Sequence, residues 1–258
     1  MKLARVRQEG GVRAAVVEGE TFALLPEEFS DLATVIEGGV EALAAIRRSL
    51  PAADRVPFDD ALLCAPLTRF KRDILCTGWN YLDHFMEGIG KREGQEVDIP
   101  KKPTFFTKGP NTVIGPREPI AYDPEVSSKW DYEAEMALVI GQAGRSIDPA
   151  SALDHVWGYL LANDISQRDL QRAHGGQWLK GKSIDRTMPL GPWLVTADEI
   201  DGANVRLRCT VNGEVLQDAS TSQMAFSIPT LIAELSFGMT LEPGDVLLTG
   251  TPSGVGNA

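Results

Sequence analysis

The chain has 258 residues, 43% of them hydrophobic and 24% charged, with a formal net charge of −11. That length and balance suit one large globular domain or two unequal ones with a sizeable core. The negative charge sets the chain against nucleic-acid phosphates and anionic lipid, so neither nucleic acid nor membrane is an expected partner, and an anionic substrate would need a local cation.

No apolar run approaches the roughly 20 residues that span a bilayer, and MKLARVRQEGG has no hydrophobic segment behind its positive charges. Cys64, Cys76 and Cys209 are an odd number without metal-ligand spacing, in apolar surroundings. The expectation is a soluble, unexported protein with reduced thiols in the cytoplasm.

Taken in chain order, KLARVRQ, VRAAVVE and TFALL read as short strands separated by turns at Gly10-Gly11 and Gly19. Pro26-Glu27-Glu28 resembles an acidic first helical turn. Leu32, Val35 and Ile36, then Val40, Leu43, Ala44 and Ile46, recur at helical spacing around a break at Gly38-Gly39. Residues 1–68 are therefore expected to form a small α+β domain, with Pro51 to Pro66 as a connector. Residues 69–258 form the second domain. DILCTG, KPTFFTK, EMALVIG, WGYLLAND, PWLVT, NVRLRCTVNG, EVLQ and DVLLTG read as strands, with one clear helix after Ile228-Pro229. Asn212-Gly213 marks a hairpin, because both central residues of that turn need positive φ. The fold class is α+β and β-rich.

Carboxylates dominate the candidate chemistry. Glu133 and Glu135 in DYEAEMALVIGQ alternate along a strand, so both project to one face with Ala137 and Val139. At about 4 Å and an effective dielectric near 20, their repulsion costs roughly 4 kcal/mol, which a divalent cation would convert into attraction. A strand end whose glutamates reach solvent is the alternative. Asp164 closes the apolar run WGYLLAND before the helix-like SQRDLQRA, where it either completes a site or caps the helix with Ser166. Arg168 and Gln171 follow it at helical spacing and suit carboxylate and carbonyl contacts.

Lys182, between glycines and prolines in LKGKSIDRTMPLGP, either neutralises a substrate anion or oxyanion or is a solvated loop lysine. His84 and Glu87 in NYLDHFMEG are three apart, so on one helical turn the carboxylate can orient the imidazole as a base. His155 reads as structural, and His174 as a loop residue. There is no G-x-S-x-G, H-E-x-x-H or C-x-x-C, and GTPSGVG lacks the Lys-Ser/Thr of a phosphate loop.

The ordered series G-W-N-Y-x-x-H from Gly78 to His84, K-P-T-F-F-T-K, Y-E-A-E-M-A-L-V-I-G, N-D-I-S-Q-R-D-L-Q, G-K-S-I-D, P-L-G-P, V-N-G-E, S-I-P-x-L-I and L-L-T-G-T-P-S-G-V-G resembles the fumarylacetoacetate hydrolase family from about residue 70 onward. The resemblance points to the branch of acylpyruvases and 2-hydroxyhepta-2,4-diene-1,7-dioate isomerases. It implies a mixed β-roll or sandwich-like catalytic domain and a homodimer. It also implies one Mg2+ or Mn2+ per chain on Glu133, Glu135 and Asp164, with Lys182 beside the metal. Arg168, Gln171 and Thr251 would contact substrate, and His84 with Glu87 would activate water.

The implied reaction is hydrolysis of a C–C bond in an acylpyruvate-like 2,4-dioxo acid, through an enolate. Decarboxylation of oxaloacetate and isomerisation of a 2-hydroxydiene diacid share that enolate, and a metal-binding protein without turnover is the third reading. Gln167, Arg186 and the charged connection GIGKREGQEVDIPKK depart from the family pattern. The chain also stops at GVGNA, where the family continues into further strand.

Overall fold

The structure, a computed structural model, describes residues 1–90 and 98–256. It begins with three antiparallel strands, β1 (Lys2–Gln8), β2 (Gly11–Glu18) and β3 (Thr21–Leu24). Two helices follow, α1 (Leu32–Glu37) and α2 (Gly39–Ser49), and then the short strand β4 (Arg55–Pro57). The first helix starts later than Pro26 suggested. Asp31 is its N-cap, accepting the Ala33 N–H, while Glu27–Phe29 form only a 3-10 turn. Gly39, at φ 55°, separates the helices as expected.

The rest of the chain supplies β5 (Ile74–Gly78), α3 (Leu82–Glu87), β6 (Thr104–Lys108), β7 (Trp130–Asp131), β8 (Ala134–Ile140), β9 (Val156–Asn163) and β10 (Ser166–Gln167). It continues with α4 (Arg168–Ala173), β11 (Met188–Thr196), the hairpin β12 (Arg206–Val211) and β13 (Glu214–Ser220), α5 (Ile228–Ser236) and β14 (Val246–Leu248). The hairpin turns at Asn212 (φ 51°) and Gly213 (φ 87°), as the dipeptide requires.

One twelve-stranded mixed sheet dominates, ordered β4-β3-β2-β1-β11-β9-β8-β14-β5-β6, with two short strands off this path. Along the path only β14 and β5 run parallel. The sheet passes through the expected boundary near residue 68 without a break, because β1 pairs with β11 (Lys2↔Val195, Leu3↔Leu194). The connector from Pro51 to Pro66 also adds strand to the sheet through Arg55–Pro57 and Leu63–Cys64.

Both faces of the sheet are covered, which is why β8 reads as a near-continuous apolar run. Ala137 and Val139 join the core under α1 and α2, with Leu32, Val35, Ile36 and Ile46. Met136, Leu138 and Ile140 join the opposite core under α5, with Ile228, Leu231 and Ile232. Fully buried side chains of this kind contribute about 1.5–3 kcal/mol each in transfer free energy. Among the described residues no helix is long and apolar enough to cross a membrane. The charged connection after Glu87 lies partly outside the described residues, as do the last two residues of the chain.

Candidate active site

Neighbouring strand ends assemble the carboxylates. β8 and β9 pair with Ala134 opposite Asn163, so Glu133 before one strand and Asp164 after the other become neighbours. Asp164 N–H donates to Glu133 O at 2.8 Å, and Glu133 N–H donates to Asn163 Oδ1 at 3.0 Å. Glu135 lies on the Ala137 and Val139 face, as period-two alternation demands. Oxygens of Glu133, Glu135 and Asp164 lie within 4.8 Å of one another, and all three residues are buried. The solvent-exposed strand end is thereby excluded.

Three buried cations face this cluster. Lys182 Nζ lies 2.7 Å from both Glu133 Oε2 and Asp164 Oδ2. Arg168 Nη2 lies 2.7 Å from Asp131 Oδ2 and from Glu133 Oε1. Lys108 Nζ, with no exposure, sits 2.8 Å from Asp164 Oδ1 and donates to Ile165 O at 2.8 Å. The Lys108 contact to Oδ1 is an ion pair by distance, without the alignment of a hydrogen bond. Asp164 therefore serves neither as a cap nor at a helical position. α4 begins only at Arg168, behind an N-cap Gln167 that makes no capping bond. Within α4, Arg168 Nη1 donates to Gln171 Oε1 at 3.2 Å, so the expected pair does share one face.

Glu135 is the carboxylate that no cation among the described residues pairs with. Glu135 Oε2 accepts the Gly250 N–H at 2.6 Å. Burial, followed by the charges of Asp164 and Glu133, pushes its carboxyl well above the ordinary range. For Glu133 burial also acts upward, but Lys182 and Arg168 outweigh it and hold the carboxyl low. The donor set fits a hard divalent cation: three buried carboxylates, oxygen only, one of them destabilised as an anion without further positive charge. With Asp131 included, the centre has one more acidic than basic side chain. A divalent cation on Glu133, Glu135 and Asp164 would reverse that sign and make the site attractive to an anion despite the overall charge.

Glu133 and Glu135 line a cavity together with His84, Arg168, Gln171, Lys182 and Thr251. His84 Nδ1 is 2.7 Å from Glu87 Oε1 on α3, and Glu87 Oε2 accepts Gly254 N–H at 2.9 Å. Burial raises the Glu87 carboxyl, and the His84 and Gly254 hydrogen bonds more than offset it. Thr251 Oγ1 donates to Ala134 O and accepts from Gln217 Nε2.

Of the other histidines, His155 bonds Gln142 O through Nδ1 and His174 caps the C-terminus of α4. Arg186 is paired with Glu118 and is not among the residues lining the cavity.

Trp79, Phe106 and Trp178 also line the cavity and were not singled out in the sequence. Trp79 adopts φ 56°, a costly conformation for a bulky side chain. Its ring meets Trp178 edge-on at 4.7 Å, and Phe106 meets Trp178 at 5.1 Å. Gly78 is required beside them, since a Cβ there would stand 2.3 Å from Trp178 Cζ3. Lys108 and Asp131 were also missed. Lys108 ends the strand TFFTK, and no local spacing marks it out.

Residues 73–258 match the family model described as fumarylacetoacetate hydrolase, C-terminal. The chain belongs to the fumarylacetoacetate hydrolase family. It is 42% identical over 251 residues to oxaloacetate tautomerase Fahd2a, mitochondrial, of Rattus norvegicus, covering 96% of this chain and 76% of that protein. Among solved structures, a fumarylacetoacetate hydrolase from psychrophilic Exiguobacterium antarcticum superposes with a TM-score of 0.86 at 39% identity, covering all of this chain and 89% of the other. Maleylpyruvate hydrolase from Sphingobium sp. SYK-6, in complex with manganese(II) and pyruvate, gives 0.80 at 30% identity over 99% of this chain and 90% of that one. The family thus holds both tautomerases and hydrolases on this β-rich fold.

Proposed function

We propose that this chain is a divalent-metal enzyme that interconverts the keto and enol forms of a small 2-oxo diacid of the oxaloacetate type. The observation that carries the reading is that a carboxylate-oriented histidine and a buried cluster of carboxylates paired with Lys182 line one cavity. The activity named for the rat relative supports it.

Glu133, Glu135 and Asp164 would hold the cation, magnesium or manganese, which when bound supplies Lewis-acid stabilisation of negative charge on substrate oxygens. Arg168 and Gln171 orient the substrate carboxylate. His84, held by Glu87, takes the proton from C3, and the electron pair of that C–H bond moves onto the 2-oxo oxygen. Lys182 stabilises the enolate charge, and protonation of that oxygen gives the enol. The reverse sequence gives the keto form, and no water is consumed.

Hydrolysis of an acylpyruvate-type substrate is the second reading, favoured by the same His84–Glu87 pair acting on water. Two assays separate the readings: the ultraviolet decay of enol-oxaloacetate, and pyruvate release from acylpyruvates and fumarylpyruvate, each with magnesium or manganese. Faster enol decay without pyruvate release is the expected result. Pyruvate release alone assigns the hydrolase, and inertness toward both leaves a metal-binding protein.

A homodimer is part of this proposal. Leu161 is 48% exposed within the otherwise buried β9, and the β12–β13 hairpin beside it carries the exposed Val211 and Val215. Sedimentation equilibrium reads the mass directly.

A further inference from the structure

Arg168 lines the cavity, and two carboxylates occupy the Nε–Nη2 edge of its guanidinium. Asp131 Oδ2 accepts from Nε at 2.8 Å and lies 2.7 Å from Nη2, while Glu133 Oε1 lies 2.7 Å from the same Nη2. The two have different obligations. Glu133 belongs to the acid cluster that fits a cation and has Lys182 on its other oxygen, so its hold on Arg168 competes with both. Asp131 is not a member of that cluster.

Asp131 is buried and is itself fixed by backbone groups. Its Oδ1 accepts Tyr132 N–H at 2.9 Å and Gly256 N–H at 2.6 Å, and it stands in register with Ser166, two residues before Arg168. The segment that supplies Gly256 also donates Gly254 N–H to Glu87, the carboxylate on His84, and Gly254 O accepts from Tyr132 Oη at 2.9 Å. Gly254 has φ 98°, and a Cβ there would stand 1.9 Å from Leu216 O, so this backbone path needs glycine. The end of GTPSGVG therefore holds the carboxylate on the arginine and the carboxylate on the histidine against one stretch of chain.

We infer that Asp131 is a positioning residue, which fixes the plane of the Arg168 guanidinium toward the substrate carboxylate independently of the metal ligands. The inference rests on the reading that Arg168 orients a substrate carboxylate. A guanidinium is planar with its donors in a fixed fork, so the plane in which it is held decides where a carboxylate can be met. Charge and position give opposite signs here. If Asp131 only diluted the positive charge of Arg168, removing its charge would tighten anion binding. If it sets the plane, the same change weakens binding.

The test is calorimetric titration with pyruvate and with oxaloacetate, at magnesium concentrations that saturate each protein, for the parent, Asp131→Asn, Arg168→Lys and the double variant. Asp131→Asn keeps the size and an acceptor oxygen for Gly256 N–H, so circular dichroism should show it folded at the titration temperature. Its affinity for both acids should fall roughly tenfold, the lower end of the range for a lost hydrogen bond to a charged group. Arg168→Lys keeps the charge and removes the fork, and it should lower affinity at least as far. Adding Asp131→Asn to Arg168→Lys should lower it little further, because Asp131 acts through the arginine.

Unchanged or tighter acid binding in folded Asp131→Asn overturns the inference, and so do fully additive losses, which would give Asp131 a role apart from Arg168. If Asp131→Asn does not fold, the double variant decides: with the fork gone it should fold no worse than Arg168→Lys, and failure there assigns Asp131 to stability alone. If the parent binds neither acid, the functional reading fails first and this inference with it.

Discussion

Lys108 shows at the scale of a single residue how the acid centre is held. Its ammonium is buried without exposure against Asp164, so replacing it leaves a buried carboxylate with one cation fewer. Lys108→Met should cost roughly 3–5 kcal/mol of stability in metal-free protein, the range for a broken buried ion pair. Magnesium should return part of that loss, and urea unfolding with and without the metal measures both; equal stability of variant and parent would contradict the role. His84 acts on the substrate side. His84→Ala should leave magnesium affinity nearly intact while lowering turnover roughly 100- to 10,000-fold. Glu87→Gln should act more mildly, and the two losses should not add, because Glu87 works through the ring it orients. Fully additive losses would give Glu87 a separate role. These residues differ in how readable they were. Glu133 and Glu135 announce themselves by strand alternation, and His84 with Glu87 by helical spacing. Lys108 and Asp131 do not, because what distinguishes them is burial beside residues distant in sequence, which no local spacing encodes.

Among the elements, the strands were the most legible, since both faces of the main sheet are buried and each strand reads as an apolar run bounded by turn residues. Helix limits were less so. α4 starts at Arg168 because Ser166 and Gln167 pair with β7, a tertiary choice that the helix-like SQRDLQRA conceals. The contact between α4 and the segment carrying Lys182 depends on Gly181. A Cβ there would stand 2.3 Å from Gln171 N and 2.5 Å from Gln171 Cα, which are backbone atoms that cannot turn aside. Gly181→Ala should therefore separate Lys182 from α4, cost about 1–3 kcal/mol of stability through overpacking, and reduce turnover by more than Lys180→Ala next to it. A crystal structure of Gly181→Ala with α4 and Lys182 unmoved would refute that account of how the lysine is placed.

For the whole molecule, the expected division near residue 68 meets a sheet and a core that both run across it. Leu3, Val16 and Ile36 share one cluster with Ala137, Leu190 and Leu248. The first 68 residues look separable in sequence because their turns and helices are local, whereas β1–β11 pairing joins residues almost two hundred positions apart. Urea unfolding of the parent, followed by tryptophan fluorescence and by circular dichroism, should give one coincident transition; two separated transitions would mean that the N-terminal unit melts independently. The central claim concerns what the assembled sheet ends hold. Titration calorimetry of magnesium into the parent and into Glu135→Gln tests it most directly, since Glu135 is the ligand candidate that no cation among the described residues pairs with. The account predicts one magnesium per chain in the parent and binding weakened at least tenfold in the variant. Equal affinity in the two proteins, or no binding to the parent, would contradict it.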